Sequence, residues 1–217
     1  MAKIKTAYFC QNCGYESAKW LGKCPSCAQW NTFVEEVIQK DVKKSSSSEW
    51  QTYNGDAVTK KTQPLHEVET KTSPRILTND QELNRVLGGG IVPGSIVLIA
   101  GEPGIGKSTL FLQMGLQIND VVVLYISGEE SEQQIKMRAD RIGLHNKNFY
   151  LLTETSTQEI FQEIKKLKPR LIIVDSIQTL ESPFIDSSPG TVSQIRECAA
   201  EFQQFAKETN TPVFLIG

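Results

Sequence analysis

Two short stretches hold residues whose types and spacing could do chemistry. The first, GEPGIGKST at 101–109, sets Gly101, Gly106, Lys107 and Ser108 in the pattern G-x-x-x-x-G-K-[ST]. Glycines let a backbone wrap a phosphate chain with successive N–H groups turned inward. A helix starting there adds the partial positive charge of its N-terminus. The expected nucleotide contacts are Gly101, Glu102, Pro103, Gly104, Ile105, Gly106, Lys107, Ser108 and Thr109. Among them Lys107 would pair with the β- and γ-phosphates, and the Ser108 hydroxyl would ligate Mg2+. The loop follows an apolar run and opens a helical one, which is the setting a phosphate loop needs.

Hydrolysis would need two further acids. RLIIVDS ends an apolar run in Asp175, a candidate Mg2+ partner through water. LYISGEES places Glu129 and Glu130 just past an earlier apolar run. In a parallel sheet the carboxyl ends of neighbouring strands share one crevice. Glu129, nearer the strand end, is the candidate to orient and polarise the attacking water. Glu130 is expected in solvent or capping the helix that follows. The guanine signature [NT]-K-x-D is absent, because NKNF at 146–149 lacks the aspartate, so ATP is favoured over GTP.

The second stretch, YFCQNCGYESAKWLGKCPSCAQW at 8–30, holds four of the five cysteines as Cys10, Cys13, Cys24 and Cys27. Each C-x-x-C can grip a metal from one side, so two of them can close a tetrahedron. Gly14 suits the tight turn after the first pair. Structural zinc is the leading reading, with iron in the same four-thiolate site, a disulfide pair and a redox pair as the alternatives. Lys3, Lys5, Lys19 and Lys23 against Glu16 make this stretch basic. Trp20 and Trp30 are expected to pack around the metal, and stacking on nucleic acid is the other role open to them.

These groups must be positioned by the rest of the 217 residues, which divide into three zones. Residues 1–34 form the four-cysteine module. Residues 35–75 are polar, include KKSSSS at 43–48 and read as a flexible linker. From Ile76 to Gly217 strand and helix patterns alternate. Buried strands are expected at 95–100, 121–126, 148–152, 170–175 and 212–217, each short, continuous and rich in β-branched residues. Amphipathic helices are expected at 79–87 (capped by Thr78 or Asn79), 107–118, 131–142, 157–168 and 192–208. The fold class is therefore α/β, a mainly parallel sheet with helices on both faces preceded by a small zinc-ribbon-like module.

Lys+Arg at 23 nearly balance Asp+Glu at 25, so net charge by itself points to no polyanionic partner. No apolar run reaches the length of a membrane span, and MAKIKTAYFC lacks the apolar core of a secretory signal. The expected compartment is the cytoplasm, with no membrane partner. Cys198 falls on the apolar stripe of the last helix as a core thiol, and His66 and His145 read as surface residues. The loop ESPFIDSSPGT at 181–191 has no basic residue, with Arg196 just beyond it.

In combination these motifs resemble one family, the bacterial RadA (Sms) DNA-repair proteins. The matching pieces are CQNC, KWLGKCPSCAQWNT at 19–32, ELNRVLGGGIVPGS at 82–95, GEPGIGKST, YISGEES and IIVDSIQT at 172–179. The resemblance implies a RecA-like core and ATP hydrolysis coupled to DNA, single-stranded or branched. It implies work on recombination intermediates, including branch migration, and supports Glu129 as the water-activating acid. It also implies a homo-oligomeric ring at full length, a recombinase or helicase partner, and a DNA-facing position for loop 181–191 and Arg196. Family members continue through a KNRFG segment absent here, so the ATPase domain is expected to be incomplete at its C-terminal end. The leading reading is a DNA-dependent ATPase. A nucleotide-switched DNA- or protein-binding module without motor activity is the alternative, and a small-molecule kinase would leave the cysteine module without a job.

Overall fold

The computed structural model of the chain describes residues 5–38, 62, 64–67 and 74–217. Most of the segment expected as a linker, KKSSSS included, lies outside the described residues, as does Lys3.

The α/β zone is built on five parallel strands: β4 (Ile96–Ile99), β5 (Val123–Ser127), β6 (Phe149–Leu152), β7 (Leu171–Asp175) and β9 (Val213–Ile216). Their spatial order is β4-β9-β7-β5-β6. The helix α1 (Gln81–Val86) precedes β4, and those between the strands are α2 (Lys107–Gln117), α3 (Glu132–Ile142), α4 (Thr157–Leu167) and α5 (Val192–Thr209). The expected strands and helices fall within a few residues of these bounds.

Strand periodicity explains how one sheet carries two cores. On β5, Leu124 and Ile126 pack with Ile160 and Ile164 of α4 and Phe202 and Phe205 of α5. Their neighbours Val123 and Tyr125 point the other way, to Phe111 and Leu112 of α2 and Ile135 of α3. β7 and β9 divide likewise: Ile172, Val174, Val213 and Leu215 on one face, Leu171, Ile173, Phe214 and Ile216 on the other. Strands buried on both faces must be apolar throughout, which is why these runs do not alternate with polar residues. Each large side chain so buried contributes about 1.5–3 kcal/mol relative to exposure. Cys198 is fully buried in the α4/α5 core, as its position on the stripe implied. Burial, followed by the charge of Glu201, holds its thiol well above the ordinary range.

Local sequence sets the helix ends. Ser131 and Gln134 form a reciprocal capping box that starts α3, and Gly143 ends it in a left-handed conformation. For α1 the cap is Asp80, one or two residues beyond the expected Thr78 or Asn79. Its carboxylate accepts from Leu83 N at 3.0 Å, while the Thr78 hydroxyl donates instead to Asn84 Oδ1 and Asp80 O. The NKNF stretch that failed as a guanine signature has a structural role. Asn146 Nδ2 donates to the carbonyls of Gly115 and Ile118 where α2 ends.

The cysteine module is an antiparallel ribbon of β1 (Lys5–Cys10), β2 (Glu16–Ser17) and β3 (Phe33–Ile38). β3 continues beyond residue 34, and its far edge is paired. A two-residue strand of the α/β zone, β8 (Ile185–Asp186), joins the same sheet, with Val37 opposite Asp186 and Ile38 opposite Ile185. The sheet order is thus β2-β1-β3-β8.

Candidate functional sites

The parallel register delivers the residues expected to meet a nucleotide to one edge. Ile99 pairs with Ile216, Ile216 with Asp175, and Asp175 with Ser127. These four residues form a row across β4, β9, β7 and β5. The phosphate loop begins two residues past this row at Gly101, and Glu129 stands two residues past it on β5. β9 lies between the loop strand and β7, which sets them two strand spacings apart, about 10 Å.

The loop itself is exposed from Gly101 to Gly106. Gly104 and Gly106 take φ of 82° and 99°, a left-handed backbone that a side chain would strain. Gly106 is also the N-cap of α2 and has no side chain to occupy the helix terminus, so the first turn's N–H groups face the loop. Lys107 Nζ folds back over the loop and donates to the carbonyls of Gly101 at 2.6 Å and Glu102 at 3.1 Å. Ser108 and Thr109 follow in the first turn of α2.

Asp175 ends β7 and is only 8 % exposed. One carboxylate oxygen accepts from the hydroxyl of Tyr125, itself fully buried on the neighbouring strand. Burial, then the charge of Asp175, pushes the Tyr125 phenol far up, so it stays a donor. Glu129 Oε1 accepts from Ser176 Oγ at 2.6 Å, which ties the second acid to the residue after Asp175. Gly128 N donates to Asp175 O at 3.2 Å and closes the same junction. A Cβ on Gly128 would lie 2.1 Å from Thr179 Oγ1, so the turn at 177–179 can sit against β5 only because residue 128 is glycine. Glu130 neither floats in solvent nor caps α3. It forms a two-pronged pair with Arg138, at 2.8 Å (Oε1–Nη1) and 2.6 Å (Oε2–Nη2). A polar cleft of about 200 Å3 opens here, lined by Glu129 and Glu154 among others.

Cys10, Cys13, Cys24 and Cys27 converge, with all four Sγ atoms within 4.8 Å of one another. Cys10 and Cys27 approach to 3.6 Å, as do Cys13 and Cys24. A disulfide would need about 2.05 Å. Four thiolates about 2.3 Å from a central ion have S···S edges of about 3.8 Å, close to what is found. The pairs in contact are drawn from different knuckles, as a shared ion requires. Burial raises the Cys10 thiol, but hydrogen bonds from Thr32 and the amides of Asn12 and Cys13 outweigh it and bring the group down to about 6. Burial dominates at Cys24, which is pushed up to about 11. The donor set fits a closed four-thiolate metal site with no open position.

One knuckle is docked on the α/β zone. Gly14, at φ 71°, packs against Val192 and Arg196 of α5, where a Cβ would come within 2.7 Å of Val192 Cγ1. Arg196 Nη1 donates to Gly14 O at 2.7 Å. Thus the arginine expected to face DNA spends one donor on the cysteine module, although the rest of its side chain stays exposed. His145 is exposed, and His66 lies at the surface 3.8 Å from Glu67.

Both zones of the chain match known families. Residues 8–35 match a family model described as a rubredoxin metal binding domain, and residues 62–217 match one described as an AAA domain. Over 219 residues the sequence is 52 % identical to DNA repair protein RadA of Halalkalibacterium halodurans. The chain belongs to the AAA domain family. DNA repair protein RadA of Bacillus subtilis is 49 % identical over 220 residues, and that of Listeria monocytogenes 46 % over 221. Each alignment covers 100 % of this chain and 47 % of the relative, so the chain spans about half the length of the curated RadA proteins it matches.

Tyr125, Gly128, Ser176 and Arg138 carry no functional signature in the sequence. Tyr125 lies inside an apolar run, where a tyrosine reads as core. Gly128 and Ser176 sit inside YISGEES and IIVDSIQT, so their position was marked but their role was not.

Proposed function

We propose that this chain is the metal-headed ATPase portion of a DNA repair protein, hydrolysing ATP in the cytoplasm and coupling that hydrolysis to DNA. The observation that carries the reading is the row Ile99–Ile216–Asp175–Ser127. It brings the phosphate loop, Asp175 and a Ser176-anchored Glu129 to the same end of one sheet. Loop amides and Lys107 bind the phosphates, and Ser108 with Asp175 would hold Mg2+. That ion would supply charge neutralisation across the β- and γ-phosphates. Glu129, fixed through one oxygen by Ser176, keeps its other oxygen for the water that attacks the γ-phosphorus. Tyr125 keeps Asp175 oriented, and the Arg138 pair holds Glu130 out of that role. The four thiolates would hold structural zinc, which supplies folding energy to a ribbon too small for a core of its own.

By resemblance to RadA, the DNA is single-stranded or branched, the work is on recombination intermediates, and the full-length protein forms a ring with a recombinase or helicase as partner. A second reading, a nucleotide-switched binding module, is favoured by the β3–β8 pairing, which joins the cysteine ribbon to the segment ten residues past Asp175. The deciding experiment measures ATP turnover with and without single-stranded DNA, on this chain and on a chain of its relatives' full length. DNA should raise turnover, Lys107→Ala should abolish nucleotide binding, and Glu129→Gln should bind ATP but turn it over at least about 100-fold more slowly. Nucleotide binding with turnover indifferent to Glu129→Gln would favour the switch.

A further inference from the structure

The cysteine module has a docked side and a free one. Gly14 lies against α5 and β3 is paired with β8, whereas the 19–31 stretch carries two indoles in solvent. Trp20 is 53 % exposed and Trp30 67 %. Neither belongs to the small core, which is Cys10, Cys24 and Phe33 with Tyr8, Leu21 and Cys27 against them. The expectation that both tryptophans pack around the metal therefore fails: Phe33 and Leu21 take that place.

The two indoles are neighbours. A Cβ built on Gly22 would lie 3.7 Å from ring atoms of Trp20 and 4.0 Å from the ring of Trp30, so both rings border this glycine. Lys23 bridges to Trp30 through the backbone and holds its ammonium 5.5 Å from the centre of the Trp30 ring. Lys19 is exposed beside Trp20, and no acid occurs between Ser17 and Val34. Two indoles that bury so little of themselves contribute little to folding. Adjacent aromatic faces with cations at their edge and no anion among them match the recurring chemistry of single-strand binding, in which bases stack while lysines meet the phosphates. A duplex keeps its base faces stacked internally, and an acidic peptide would use the lysines but leave the indoles without a stacking partner.

We infer that Trp20 and Trp30, with Lys19 and Lys23, form a base-stacking site for single-stranded DNA on the metal module, separate from the nucleotide site. The inference rests on the DNA part of the proposed function and is independent of hydrolysis.

The test uses the zinc-loaded chain without ATP and a fluorescein-labelled 20-mer oligothymidylate, read by anisotropy. Trp20→Ala and Trp30→Ala should each weaken binding by about tenfold. Lys19→Gln with Lys23→Gln should flatten the slope of log affinity against log salt by about 1.4. Cobalt absorption of the four-thiolate site, unchanged in every variant, would show that the ribbon is intact. Lys107→Ala should bind the oligonucleotide as the unaltered chain does. Tryptophan variants that bind normally, loss of binding in Lys107→Ala, or a preference of the unaltered chain for polyglutamate or a duplex 20-mer would each overturn the assignment. Indole-dependent binding together with turnover that ignores DNA would retain this site and sink the DNA-stimulated ATPase.

Discussion

At the scale of single residues, the nucleotide site depends on groups that carry no catalytic signature. Tyr125 gives its hydroxyl to the buried carboxylate of Asp175. Tyr125→Phe leaves that carboxylate short of a donor in a dry setting, and hydrogen bonds to charged groups contribute about 1.5–3 kcal/mol. Urea denaturation without nucleotide should show a loss of about that size, and an unchanged midpoint would mean the contact carries no energy. Gly128 matters through what it lacks. Gly128→Ala drives a methyl into Thr179, displacing the turn after Asp175 while leaving the phosphate loop untouched. Nucleotide affinity should stay within a few fold while turnover falls at least about tenfold, since a small misplacement of reacting groups is costly. Equal losses in both would place the damage in the whole fold instead.

At the scale of elements, two contacts among the described residues join the cysteine ribbon to the α/β zone. One is strand pairing, β3 with β8, and the other is the seat of Gly14 on Val192 and Arg196. The buried cluster of the ribbon among the described residues is Cys10, Cys24 and Phe33, two of them cysteines, so without metal it has little to hold it together. Chelation should therefore abolish amide protection across 5–38, and at 185–186, where the partner strand is lost. Protection in β7 and β9 should persist, because their cores belong to α2–α5. Hydrogen exchange distinguishes this from global unfolding, in which the central strands would lose protection as well. Had the ribbon been free of the α/β zone, 185–186 would not respond.

At the scale of the whole molecule, a nucleotide that binds only the folded chain must stabilise it. At a free concentration 100 times its dissociation constant, Mg2+-ATP should add about 2.7 kcal/mol, visible as a rise in Tm that Lys107→Ala removes. A rise that survives Lys107→Ala would place the nucleotide elsewhere. No helix among the described residues is long and apolar enough to cross a membrane. The sequence by itself determined the order of the five parallel strands and of the helices, the glycine-rich loop, both candidate acids and the four candidate ligands, but not the ribbon strands or β8. These are local patterns: glycines in a fixed spacing, apolar runs of strand length, cysteines two apart. Tertiary structure decided the rest. Only folding could set β9 between β4 and β7, tie Glu129 to Ser176, and turn Glu130 toward Arg138 eight residues on. Only folding could dock Gly14 on Arg196, 182 residues away, and leave Trp20 and Trp30 in solvent. Such contacts arise from how separate elements pack, and neighbouring letters in a sequence carry no record of that.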